Sequence, residues 1–140
     1  MNRRMATAIA ALGAAATITV AAGCGSDSAS VPTGEEMKGT YVVAGEGYEQ
    51  GKPQKWDNPD STIVIDMANG QAFAGSKTYV DAEGQKQSYK VNGVIAPDGD
   101  ILITEPDGFF EGTYADGVIT GQYAEMGDTA QAMNATFTRK

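Results

Sequence analysis

The chain has 140 residues, with ten Lys and Arg against eighteen Asp and Glu, no histidine and a single cysteine. That leaves room for one modest domain and removes imidazole catalysis, an internal disulfide and a zinc site built from the usual nitrogen and sulfur ligands. A formal net charge of −8 argues against a nucleic-acid partner.

Asn2-Arg3-Arg4 makes a short positive start, Ala6 to Ala22 is an apolar run of mostly small residues, and Cys24 follows Ala21-Ala22-Gly23. This is the three-part layout of an export signal, and the run is too short and alanine-rich for a permanent span of about 20 strongly apolar residues. The ending resembles the processing motif of bacterial lipoproteins, the actinobacterial ones in particular: Gly23-Cys24 matches, Ala22 suits the position before, and Ala21 stands where leucine is commoner. The resemblance implies a signal peptide over 1–23, a diacylglycerol on the Cys24 thiol and an anchor on the outer face of the cell membrane. Two acyl chains give the stable anchoring that one cannot. Loss of Arg3 and Arg4 with the signal leaves the remainder more acidic still, a charge that keeps a domain soluble beside a membrane. General secretion is favoured over twin-arginine export, because Met5-Ala6-Thr7 lacks strongly apolar residues behind the arginine pair.

Residues 24–37 are rich in Ser, Gly, Asp and Glu and lack an apolar period, which predicts a flexible tether, with folding from Lys38 onward. Beyond it, turn pairs recur: Asn69-Gly70, Glu83-Gly84, Asp98-Gly99, Asp107-Gly108, Asp116-Gly117 and Gly127-Asp128. Between them apolar residues alternate with polar ones, the period of a strand with one buried face. The segments are about 38–44, 61–67, 71–80, 86–95, 100–105, 109–115, 118–125 and 130–138. Their inward rows include Tyr41 and Val43; Ile63, Ile65 and Met67; Phe73, Gly75 and Tyr79; Val91, Gly93 and Ile95; Ile101 and Ile103; Phe110, Gly112 and Tyr114; Ile119, Gly121 and Tyr123; and Met133, Ala135 and Phe137.

Short turns make neighbours antiparallel, and closing the meander removes both sheet edges. The predicted fold is all-β, a small eight-stranded antiparallel up-and-down barrel over 38–140. Lys77 breaks the row from Phe73 to Tyr79, which places that row at a barrel mouth. The inward glycines Gly75, Gly93, Gly112 and Gly121 have two explanations: curvature of a narrow barrel, or room for a cavity lined by aromatics.

The meander with inward Gly and aromatic residues resembles the calycin group of lipocalin and avidin-like barrels. Gly39-Thr40-Tyr41 carries tyrosine where the lipocalin signature carries tryptophan. The run from Phe110 to Lys140 also resembles barrel domains of bacterial surface lipoproteins that bind host proteins.

The segment 45–61 far exceeds the other connections, and long loops in compact domains are usually functional or disordered. Its Tyr48 and Trp56 form a lid over one opening or an interaction anchor, or else Trp56 plugs the barrel end. With Phe110, Tyr114 and Tyr123 they make the candidate ligand-binding set. Outward Val64, Leu102 and Phe109 make a second set, suited to protein contact. Asp57, Asn58, Asp60, Asp98 and Asp100 lack the spacing of a calcium loop and sit beside Gly or Pro as turn formers do. No carboxylate pair or activated hydroxyl stands out, so no catalytic activity, metal or cofactor is expected. The reading is an extracytoplasmic binding module for a small or apolar ligand, or a cell-envelope surface lipoprotein acting through protein contacts on the barrel wall.

Overall fold

The computed structural model describes residues 30–57, 60–81 and 83–140. The expected signal sequence, Cys24 and the start of the expected tether lie outside these residues, as does Asn58.

A short helix α1 (Gly34–Met37) precedes nine strands: β1 (Gly39–Glu49), β2 (Lys52–Trp56), β3 (Thr62–Asn69), β4 (Ala72–Val80), β5 (Lys86–Ile95), β6 (Asp100–Thr104), β7 (Gly108–Ala115), β8 (Val118–Glu125) and β9 (Gln131–Arg139). From β3 onward each strand pairs antiparallel with the next, and β9 returns to pair with β1 from Tyr41↔Arg139 to Glu49↔Gln131. The ring formed by β1 and β3 to β9 is the expected eight-stranded antiparallel barrel, closed so that its ring strands have both edges paired over most of their length.

The ninth strand corrects the expected loop over 45–61. β1 outruns the barrel: its residues Gly39–Val42 pair with β3, and on the same side Gly45–Glu49 pair with β2. The turn between them, Gln50-Gly51, has φ of 48° and 77°, the two positive values of a type I′ hairpin. β2 lacked a sequence signal because Lys52 to Lys55 are all exposed and no side of it is apolar. In a two-residue hairpin Glu49 and Lys52 are the hydrogen-bonded pair, so alternation turns the Pro53 nitrogen toward the free edge of β2. A proline there, on a strand that also carries Lys52 and Lys55, blunts that edge against strand addition.

The inward rows fall where period two puts them, and Tyr41, Ile63, Ile65, Phe73, Val91, Ile95, Ile101, Ile103, Phe110, Ile119, Tyr123, Ala135 and Phe137 are buried. Met67 is the exception, 54% exposed. Ile65 pairs with Gly75 but Met67 pairs with Ala74, so Asp66 is the extra residue of a bulge and everything after it changes face.

The inward glycines admit aromatic rings. A Cβ on Gly112 or Gly121 would lie 2.7 Å from the Phe110 ring, and one on Gly93 would lie 2.2 Å from the Phe73 ring. Phe110 packs on Phe137 with ring centres 4.5 Å apart.

One pole of the barrel is stoppered by residues expected to belong to the tether. Thr33 and Glu36 form a capping box: the Thr33 N–H donates to Glu36 Oε2 at 2.7 Å and the Glu36 N–H donates to Thr33 Oγ1 at 3.3 Å. The helix so started drives Met37 into the core, where it is fully buried. Tyr41 donates its hydroxyl hydrogen to the Met37 carbonyl at 2.8 Å, Gly34 N–H donates to the Gly70 carbonyl, and Arg139 holds both the Glu36 carbonyl and the Tyr41 hydroxyl. Ordered structure therefore begins before Lys38. The Thr-x-x-Glu spacing of the cap is a signal the composition of the segment conceals.

Candidate functional site

At the pole opposite α1 the inner wall ends in polar groups. Lys77, at the mouth as its break in the pattern predicts, is 2.7 Å from Glu105 and stands 4.6 Å above the centre of the Tyr123 ring. The pair is largely buried, with side-chain exposures of 18% and 7%. Tyr123 donates to Glu125 at 3.2 Å, and Glu125 also accepts from Thr129 and Gln131. Burial, reinforced by Glu105 and then Glu125, pushes the Tyr123 phenol well above its ordinary range. Tyr79, 2.7 Å from the Tyr89 hydroxyl, is pushed up by burial and by that partner. Beneath this layer is a cavity of about 30 Å³ edged by Lys77, Glu105, Phe110 and Tyr123. It has room for about one water and not for an organic ligand.

A second concavity, of about 680 Å³, lies on the outside of the barrel. Its floor follows a cross-strand row of small residues, Gly121↔Ala135↔Gly45, that ends at Trp56 of β2. Inside the wall the lack of side chain on Gly121 admits Phe110; outside, the row leaves backbone at the base of the groove. The walls are outward side chains of neighbouring strands. Gln122 faces Asn134, which faces Glu46, which faces Lys55; beside them Thr120 faces Thr136. Lys55 is 3.6 Å from Asp57, both well exposed.

The candidate ligand residues are thus distributed rather than gathered. Phe110 is core. Tyr114 is half-buried at the α1 pole, where the Arg139 guanidinium lies 5.8 Å from its ring centre. Tyr123 lines the small cavity, and Tyr48 is 59% exposed on the outer wall. Trp56 is half-buried on β2, directly opposite Gly45 of β1, and lies at the rim of the outer groove. Of the candidate contact residues, Leu102 faces Val94 directly and has Phe109 as its diagonal neighbour on β7, while Val64 stands apart on β3, between Thr40 and Ser76. Asp98 accepts from the Asp100 N–H at 3.3 Å, a turn contact. Among the described residues no three His, Cys, Asp or Glu side chains gather as metal ligands would.

The groove residues Gln122, Asn134 and Thr136 were missed from sequence. Each reads as a routine outward polar position, and only the β1–β9 closure brings β8, β9 and β2 to one place.

No family model and no curated protein matches the chain. It is similar to the crystal structure of a structural-genomics protein of unknown function from Bacteroides ovatus, with a TM-score of 0.54 and 14% identity over 75% of this chain. The match spans 42% of that protein's length, and it shows a shared fold.

Proposed function

We propose that the protein is a binding module tethered to the extracytoplasmic face of the cell membrane by a diacylglycerol on Cys24, and that it works through the outer wall of its barrel without chemistry on what it binds. The observation that carries this reading is the contrast between the two concavities. Phe73 and Phe110, seated against glycines, leave about 30 Å³ inside, while the groove beside Trp56 holds about 680 Å³. Binding sites for organic ligands run from roughly 300 to 1,000 Å³. The preference for a small apolar ligand inside the barrel therefore gives way to recognition on the wall.

The test is an NMR experiment with methyl-labelled protein and a membrane-envelope extract of the producing cells. Ile63, Val91 and Ile103 report on the interior; Val64, Val94, Leu102 and the amides of Gln122 and Asn134 report on the wall. Perturbation of wall signals is expected, and perturbation confined to interior methyls overturns the reading. Mass spectrometry of the protein from native membranes tests the anchor separately, since an unmodified Cys24 removes it. A protein partner is the second reading, favoured by the outward apolar group of Val94, Leu102 and Phe109. A photocrosslinker at Leu102 that yields one discrete adduct in cells supports it.

A further inference from the structure

We infer that the outer wall around Phe109 seats a basic amphipathic helix of a partner protein, with Val94, Leu102 and Met126 under its apolar stripe and Asp100, Asp107 and Glu111 against its flanking lysines or arginines. This rests on the protein-partner reading above and names the chemistry of that partner.

Alternation sets the patch. Ile95, Ile101, Ile103 and Phe110 are buried, so their chain neighbours Val94, Leu102 and Phe109 leave the sheet on its outer side. Val94 faces Leu102, Leu102 meets Phe109 on the diagonal, and Phe109 faces Ala124. Met126 follows at the end of β8, its N–H donating to the Asp107 carbonyl at 3.0 Å. Val94 is 50% exposed, Leu102 36% and Met126 69%. A single apolar residue on a surface is ordinary, whereas a contiguous group marks a contact. From Val94 to Ala124 the row runs about 18 Å, two facing steps and one diagonal, and three turns of helix cover about 16 Å.

Acids border this group. Glu111 faces Leu102, Asp100 lies on the same side of β6 opposite Thr113, and Asp107 adjoins Met126 through the backbone bond. Strands β6, β7 and β8 contain no Lys or Arg, and Lys86 and Lys90 of β5 lie beyond Asn92, toward the mouth. An apolar centre with a rim of one charge sign calls for a partner whose apolar face is rimmed by the other sign.

Other occupants fit less well. A second copy would set the same acids against each other, and anionic lipid or nucleic acid meets the same repulsion. A small apolar molecule needs enclosure, and neither concavity described above is bounded by these residues. An added strand finds β6 and β7 paired on both sides, so the partner packs on the face of the sheet, as the single apolar stripe of a helix does.

The experiment is an NMR titration of the methyl-labelled protein with a Leu/Lys peptide of about 14 residues whose leucines follow the helical period. Two further peptides serve as controls, one of the same composition without that period and one with Glu in place of Lys. The basic amphipathic peptide should shift the Val94 and Leu102 methyls and leave Val64, Ile63 and Val91 unmoved. Leu102→Gln and Glu111→Lys, both outward substitutions, should each weaken it at least about fivefold. Glu83→Lys, the same change of net charge in the β4–β5 turn, should alter it less than about twofold. Equal binding of either control peptide, or equal weakening by Glu83→Lys and Glu111→Lys, overturns the inference. If the basic peptide leaves Val94 and Leu102 unmoved while the envelope extract still perturbs the wall, the helix inference falls and the outer-wall reading stands. If it leaves them unmoved and the extract perturbs only interior methyls, both fall.

Discussion

Phe73 and Phe110 occupy volume that Cβ atoms on facing strands would otherwise fill, so the glycines opposite them are packing partners by omission. Gly93→Ala forces the Phe73 ring to move or leave its rotamer, an overpacking that costs about 1–3 kcal/mol. Adding Phe73→Leu should return part of the loss, because the two positions share one space; urea unfolding of the four proteins of the cycle measures the coupling. The ion pair at the mouth follows another rule. Lys77→Met leaves the Glu105 carboxylate buried without its cation and should destabilise by about 3–5 kcal/mol, whereas Lys77→Met with Glu105→Leu should recover most of it. Equal losses in single and double variants, again by urea unfolding, would show that the pair contributes through shape and not charge.

At the scale of elements, α1 carries a pH dependence of definite sign. The Thr33 backbone N–H, and then its hydroxyl, hold the Glu36 carboxyl below the usual carboxylate range. A lowered folded-state value means that the cap's contribution is present above the unfolded carboxylate pKa of about 4.3 and is lost as pH falls through the shifted value. The Met37 methyl resonance should therefore move in acid before the barrel signals do, and Glu36→Gln should abolish that separate step. Strands with a wet face and a dry face were legible from alternation alone, and so were the turns with their glycines. Three elements were not. β2 has no dry face, the Asp66 bulge inverts Met67 without changing its residue type, and α1 is a single turn too short for a period, leaving only its Thr33–Glu36 cap as a signal.

For the molecule as a whole, the barrel is shut by joining its first strand to its last, and Tyr41 and Arg139 are 98 residues apart in sequence. Such long-range pairing requires loop closure before contacts repay it, so refolding is expected in milliseconds to seconds, as in other barrels dominated by non-local pairs. Stopped-flow fluorescence of Trp56, the sole tryptophan, should show this, and microsecond refolding would contradict it. Closure also explains why the groove was invisible in sequence while the core was not. A buried row announces itself within one strand, but Trp56, Gln122 and Asn134 become neighbours only when β9 meets β1.

Arg139 and Lys140 also reach across to the opening residues of the fold, Lys140 N–H bonding to the Thr40 carbonyl at 2.8 Å. The polypeptide thus enters and leaves the barrel at the same pole. A short linker could splice Lys140 to Ser30, with new ends cut in the exposed 126–130 turn at the other pole. Such a circular permutant keeps every strand pairing while moving the polypeptide ends to the far side, and so gives an orientation handle for attaching the barrel to a surface by either end.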